Sequence, residues 1–231
     1  MPSLVVRSVS ELRLINAEPD DGPFSTGTPL PRRLPRGRHG IPAEIVVEHQ
    51  RLRLLAAMAE ALGEHGYANV TTTHVSERAN VSTSTFYKHF GNLWDCLLAA
   101  YVAAADRLCE TIEAACAEAE LGSDPLQTGI EAALALFAAE PTLGRLLSAQ
   151  APREATALSA ARRLLISRLA AMLRRARGSD DEAPKPRGLD ERLIDATLAF
   201  LHTRLAGSDP KQLTTLAPEL AAILDRPRCA A

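Results

Sequence analysis

The densest run of chemically capable side chains spans residues 70–92, VTTTHVSERANVSTSTFYKHFGN. Thr83, Ser84 and Thr85 offer short hydroxyls, and Lys88 adds a cation one helical turn further on. Groups of this size suit the phosphate oxygens and base edges of a duplex. Nothing elsewhere competes as a reactive centre. The chain has no Gly-rich phosphate loop, no GxSxG elbow and no paired metal motif. Its four cysteines, Cys96, Cys109, Cys116 and Cys229, form no CxxC pair, and no histidine lies at zinc-ligand spacing from them. Cys109 and Cys116, seven apart on one helix face, read as small buried hydrophobes. The expectation is therefore no enzyme, no metal, no cofactor, and the reduced thiols of a cytoplasmic protein.

Side chains of this kind need a rigid carrier. Thr72 is the expected cap of one short helix, carrying Val75 and Ala79 inward, and Ser82 the cap of a second that runs to about His89. Between them the chain must reverse within a few residues, which favours a residue tolerant of positive φ; Asn80 supplies it. Phe86 and Phe90, four apart, would pack inward and leave Thr83, Ser84, Thr85 and Lys88 outside. Two short helices joined by a tight turn form a helix-turn-helix, whose second helix enters a major groove.

The surrounding sequence reads as helix throughout. The 231 residues are 46% hydrophobic but only 4% aromatic. Ala and Leu dominate, which favours helices over strands. A first helix runs from Ala43, with Leu52, Leu55, Met58, Ala59 and Leu62 on one face, to Gly66. A long fourth helix from about residue 92 has Trp94, Leu98, Tyr101, Ala105, Leu108 and Ile112 as its inward stripe. Five more follow: Pro125 to about Ala139, a short one from Pro141, Ala155–Arg177, Leu189–Ala206, and Lys211 to about Leu224. The predicted fold is all-α, about nine helices, in two parts: a three-helix domain over 41–101 with its motif at 71–90, and a larger helical domain over 102–231. Residues 1–40 carry repeated Pro and Gly and are expected to be a disordered Pro/Arg-rich extension. The longest uncharged apolar run, Cys96–Ala105, has ten residues, against about 20 for a membrane span. Glu11, Glu18, Asp20 and Asp21 interrupt any leader-like pattern at the start.

The 70–92 segment resembles the TetR (tetracycline-repressor) family of transcriptional regulators. That family's motif reads roughly T-T-x-x-I-A-x-x-A-G-V-S-x-G-T-x-Y-x-[HY]-F. Thr71, Thr72, Val75, Ser76, Ala79, Asn80, Val81, Ser82, Ser84, Thr85, Tyr87, His89 and Phe90 stand at those places. Asn80 and Ser84 replace the two glycines, and Leu93 stands where a lysine is common. The resemblance implies a repressor that binds double-stranded operator DNA as a homodimer and answers to a small-molecule effector. It implies that Thr72 and Ser82 cap helices whose N–H groups face phosphates, and that Tyr87 and His89 bond phosphates. Thr83, Ser84, Thr85 and Lys88 would then reach base edges, with Thr73 and His74 nearby. Dimerisation would use 189–206 and 211–225, through Leu193, Thr197, Phe200, Leu201, Leu213, Leu216, Leu220, Ile223 and Leu224. An effector pocket in the larger domain would draw on Phe137, Leu147, Gln150, Met172, Phe200 and His202.

Charge limits the picture. Formal net charge is −2, and residues 36–101 hold six basic and six acidic side chains. Attraction to a polyanion must come from local geometry, not bulk charge. Arg36 and Arg38 end an acid-free basic stretch and could form an arm on phosphates or a minor groove. Glu44, Glu48, Glu60 and Glu64 should then lie elsewhere. A helical protein-interaction module and a helical-bundle enzyme without DNA binding are the competing readings.

Overall fold

The computed structural model describes residues 43–119, 122–150, 155–178, 188–207 and 209–225. The N-terminal extension, with Arg36 and Arg38, lies outside the described residues, as does Cys229. The described residues form helices only, without a strand. In chain order these are α1 (Ala43–Asn69), α2 (Thr72–Arg78), α3 (Thr83–His89), α4 (Leu93–Glu118), α5 (Pro125–Ala139), α6 (Pro141–Ser148), α7 (Thr156–Ala176), α8 (Leu189–Gly207) and α9 (Ala217–Asp225). A 3-10 segment, Pro210–Leu216, precedes α9. The chain divides into two compact units, up to Ala103 and from Ala104 onward.

In the first unit Leu54, Leu55, Met58, Ala61 and Leu62 of α1 are buried, as are Val75 and Ala79 of α2 and Phe86 of α3. Each fully buried Leu or Phe contributes about 1.5–3 kcal/mol relative to exposure. Gly66 takes φ 70°, breaking α1 where the sequence suggested it would end, and a last turn then runs on to Asn69. Along α4 the buried stripe begins at Cys96 and Leu97 and continues through Ala100 and Tyr101. Trp94, expected inward, is instead 49% exposed. It sits in the first turn, where the stripe's period continues but burial does not.

In the second unit α5 packs on the 3-10 segment, α9 and α6, while α8 packs on α6 and α7. Gly144 permits the approach of α6: a Cβ there would meet Leu205 Cδ1 at 2.9 Å and Phe137 at 3.1 Å. The helix expected over 211–225 is divided in two. Pro218 lacks an N–H and its ring would collide with the preceding turn, so an α-helix begun at Lys211 cannot run through it. The chain satisfies this by making a 3-10 segment first, capped by Asp209, whose carboxylate accepts from the Lys211 N–H at 3.1 Å. Buried charge is paired: Asp190, 5% exposed, accepts from Arg177 at 2.7 Å and from Arg174 at 3.5 Å.

Candidate nucleic-acid interface

α2, the turn and α3 are held by their own capping chemistry. The cap of α2 is Thr71, not Thr72: its hydroxyl accepts from the His74 N–H at 3.2 Å. Thr72 is the first helical residue and half-buried. Three consecutive threonines offer the same chemistry, and the burial of Val75 and Ala79 fixes which one falls at the cap. Asn80 adopts φ 51°, the left-handed turn conformation required of it. Ser82 caps α3, its hydroxyl accepting from the Thr85 N–H at 3.0 Å and lying 2.9 Å from Thr85 Oγ1.

α3 is two-faced. Phe86 (0% exposed) and Phe90 (5%) anchor it, their ring centroids 5.8 Å apart. Thr83, Ser84, Tyr87 and Lys88 are exposed on the other side, as is Thr73 on α2. Thr85 is half-buried, its hydroxyl engaged with Ser82. His89 is half-buried too, and its Nε2 lies 3.3 Å from Gln50 Oε1 on α1. Burial, helped by Arg51, holds the His89 imidazole below its ordinary range, which keeps the ring neutral. A neutral ring can bond a phosphate only as an N–H donor, without the charge expected of a phosphate clamp. His74 is half-buried and stacked on His65, centroids 3.9 Å apart.

Three arginines that the sequence did not single out hold this surface in place. Arg53 of α1 donates to the carbonyls of Ala79 and Asn80, the latter at 3.2 Å, and so latches the turn to α1. Arg51 lies over the Phe90 ring, 5.0 Å from its centroid. Arg78 bonds Glu64 at 2.5 and 2.8 Å and Glu60 at 3.3 Å. That pairing, chiefly the Arg78 hydrogen bond, holds the Glu64 carboxyl below its usual range. Glu60 and Glu64 are thus engaged by Arg78. These links span 14 to 39 residues, and no local pattern announces such pairings. Among the described residues no cluster of three or more metal-ligating groups occurs, and no helix is long and apolar enough to cross a membrane.

The second unit contains a cavity of about 470 Å³, within the range of small-molecule sites. Phe137 and Met172 line it; Leu147, Gln150, Phe200 and His202 do not. Leu147 is wholly buried, Gln150 and Phe200 are exposed, and His202 Nδ1 lies 3.1 Å from the Ser148 hydroxyl. The walls come instead from α4, α5, α7, α8 and α9, including Leu108, Leu134, Leu169 and Leu198. Of the expected dimer residues, Leu201, Leu213, Leu220 and Leu224 are buried in their own unit, while Phe200 and Ile223 are exposed.

Residues 54–100 match the family model of the bacterial regulatory proteins, tetR family. No curated protein matches the chain. Among solved structures, the fatty acid degradation regulator FadR of Bacillus halodurans is similar, with a TM-score of 0.63, 17% identity, 77% of this chain covered and 98% of that one. The FadR of Bacillus subtilis, solved with stearoyl-CoA, gives a TM-score of 0.59 at 18% identity, covering 75% and 96%. A TetR-like transcriptional regulator of Rhodococcus sp. RHA1 gives 0.53 at 20% identity, covering 82% and 96%. At such identities the likeness is one of fold. The two-faced α3 lies inside the stretch, residues 54–100, that matches the family model of the tetR family of bacterial regulatory proteins.

Proposed function

We propose that this chain is a dimeric, sequence-specific repressor that leaves its operator when a small molecule fills the cavity of the second unit. One observation carries the reading. α3 is clamped by Phe86 and Phe90 while Thr83, Ser84, Tyr87 and Lys88 stand free of the core. On that face Thr83, Ser84 and Lys88 are the base-reading groups and Tyr87 a phosphate donor. Thr85 and Ser82 act mainly by holding the helix start, and Thr72, Thr73 and His89 flank the contact. Arg36 and Arg38, shortly before α1, would add phosphate contacts. Exposed Phe200 and Ile223 support pairing of two copies through 189–206 and 211–225. The stearoyl-CoA held by the Bacillus subtilis regulator supports a ligand role for the cavity. The coupling is a population shift: the ligand favours a conformation in which the two α3 helices no longer fit adjacent grooves.

The test is selection of binding sites from a random duplex pool with the full chain. Gel shifts at fixed salt then compare it with a Thr83→Ala/Lys88→Ala variant. One enriched sequence family is expected, and the variant should bind it at least ~10-fold more weakly per lost contact with an unchanged circular dichroism spectrum. No enrichment, or undiminished affinity of the folded variant, would overturn the reading.

A further inference from the structure

We propose that the cavity in the second unit takes an unbranched alkyl chain with an anionic head, the chain inside and the head at the rim beside Arg175. The proposal rests on the reading of this unit as ligand-responsive and names the ligand's class.

The wall offers nothing polar to a ligand's interior. Its uncharged polar groups are already engaged: the Thr197 hydroxyl donates to the Leu193 carbonyl at 2.8 Å, and the Cys116 thiol to that of Pro125 at 3.6 Å. A polar atom buried here would lose its water and find no partner among the described residues. Phe137 is the single aromatic ring in the described wall, so a planar aromatic ligand gains little stacking.

The lining runs from a buried end to an exposed one. Leu108 and Phe137, each 1% exposed, lie deep, while Glu113, Pro125 and Arg175 are exposed. From Leu108 to Cys116 the α4 wall rises about 12 Å, and from Phe137 back to Pro125 the α5 wall covers about 18 Å, at ~1.5 Å per residue. An extended chain advances ~1.25 Å per carbon with C–C bonds of ~1.5 Å. The cavity therefore matches about ten to fourteen carbons.

The head must stay in water, and the wall's charged groups are at the rim. Arg175 and Glu113 face each other at 3.7 Å, with side chains 67% and 56% exposed. The Arg175 fork suits a carboxylate or phosphate oxygen pair, and Glu113 opposes it. An alkyl carboxylate and an acyl thioester of a phosphate-bearing carrier share this chemistry.

Calorimetric titration of the full chain with saturated carboxylates from hexanoate to octadecanoate tests it. Kd should fall about 4-fold per added methylene and level off between roughly ten and fourteen carbons. The heat capacity change should be negative. Ala133→Phe or Thr197→Leu, either of which fills the cavity, should move the plateau to shorter chains. Dodecanoate should bind better than dodecanol by ~3–5-fold at an exposed pair, a preference lost in Arg175→Gln and raised in Glu113→Gln. Dodecanoyl-CoA binding more tightly than dodecanoate points to the thioester as the source, and the reverse to the free acid. Affinity independent of chain length, or naphthoate binding as tightly as dodecanoate, would overturn the proposal. Chains that bind as described but leave DNA bound would refute the release mechanism and keep the ligand class. Release by an unrelated ligand, with no chain bound, would do the opposite.

Discussion

Asn80 is where one backbone torsion decides the geometry of the candidate interface. Its φ of 51° lies in the left-handed region, which costs most residues with a Cβ about 1–2 kcal/mol and Asn less. The residue's structural role is carried by its backbone. Its N–H donates to the Glu77 carbonyl at 3.0 Å and its carbonyl accepts from Arg53 at 3.2 Å, while the residue itself is exposed. Changing the side chain therefore tests the torsion with little loss of packing. Asn80→Gly should leave stability unchanged or raise it slightly. Asn80→Ala should cost ~1 kcal/mol and Asn80→Val somewhat more. For a unit of this size that is about 4–8 °C in melting temperature per kcal/mol. The only tryptophan, Trp94, lies in the first unit, so its fluorescence on heating the full chain reports this unit. A Val variant that melts with the wild type, or a Gly variant that falls as far as Val, would refute the reasoning.

Protonation should destabilise the first unit. Burial first, then Arg53 for His49 and Arg51 for His89, holds both imidazoles below the ordinary 6.5. The unfolded chain thus binds more protons as pH falls through that value, and stability is complete above it and declines below. Melting followed by Trp94 should be higher at about pH 8 than at about pH 5.5, and His49→Gln/His89→Gln should flatten the difference; a pH-independent wild type would contradict this. Thiol reactivity should be graded: desolvation pushes Cys96 up to about 12 and Cys109 up to about 11. Mass spectrometry after brief alkylation should find Cys116 modified ahead of both, and early labelling of Cys96 would contradict its burial. In the second unit Asp190→Ala removes the countercharge of Arg177, whose side chain is 12% exposed and keeps only the Leu224 carbonyl as a partner among the described residues, and should cost ~3–5 kcal/mol. Thermal melting by circular dichroism would show it, and an unchanged transition would mean the pair adds nothing.

Local chemistry made much of this structure legible. Ser82 caps α3, Asn80 turns the chain, and Phe86 and Phe90 face inward because each obeys a rule confined to four or five neighbouring residues. What escaped depends on distant partners. Periodicity placed Trp94 on the stripe of α4 but could not say where covering helices stop. Leu147 was expected at the pocket and Leu198 was not, yet Leu198 borders the cavity and Leu147 is buried away from it. A cavity is a shortfall of packing among several helices, and no single helix's sequence records it. The latch from Arg53 to the turn is invisible for the same reason: in sequence it is one arginine in a helix. The Pro218 break was there to be read, since that residue alone forbids a continuous helix from Lys211.

The central claim is that two copies of α3 occupy successive major grooves of one duplex. Methylation interference at guanine N7, which projects into the major groove, tests it directly on the selected DNA with the full chain bound. Two clusters of interfering guanines are expected on one face, about 34–36 Å apart or a multiple of that, and no clusters with Thr83→Ala/Lys88→Ala. A single cluster, or binding indifferent to N7 methylation throughout the site, would contradict it.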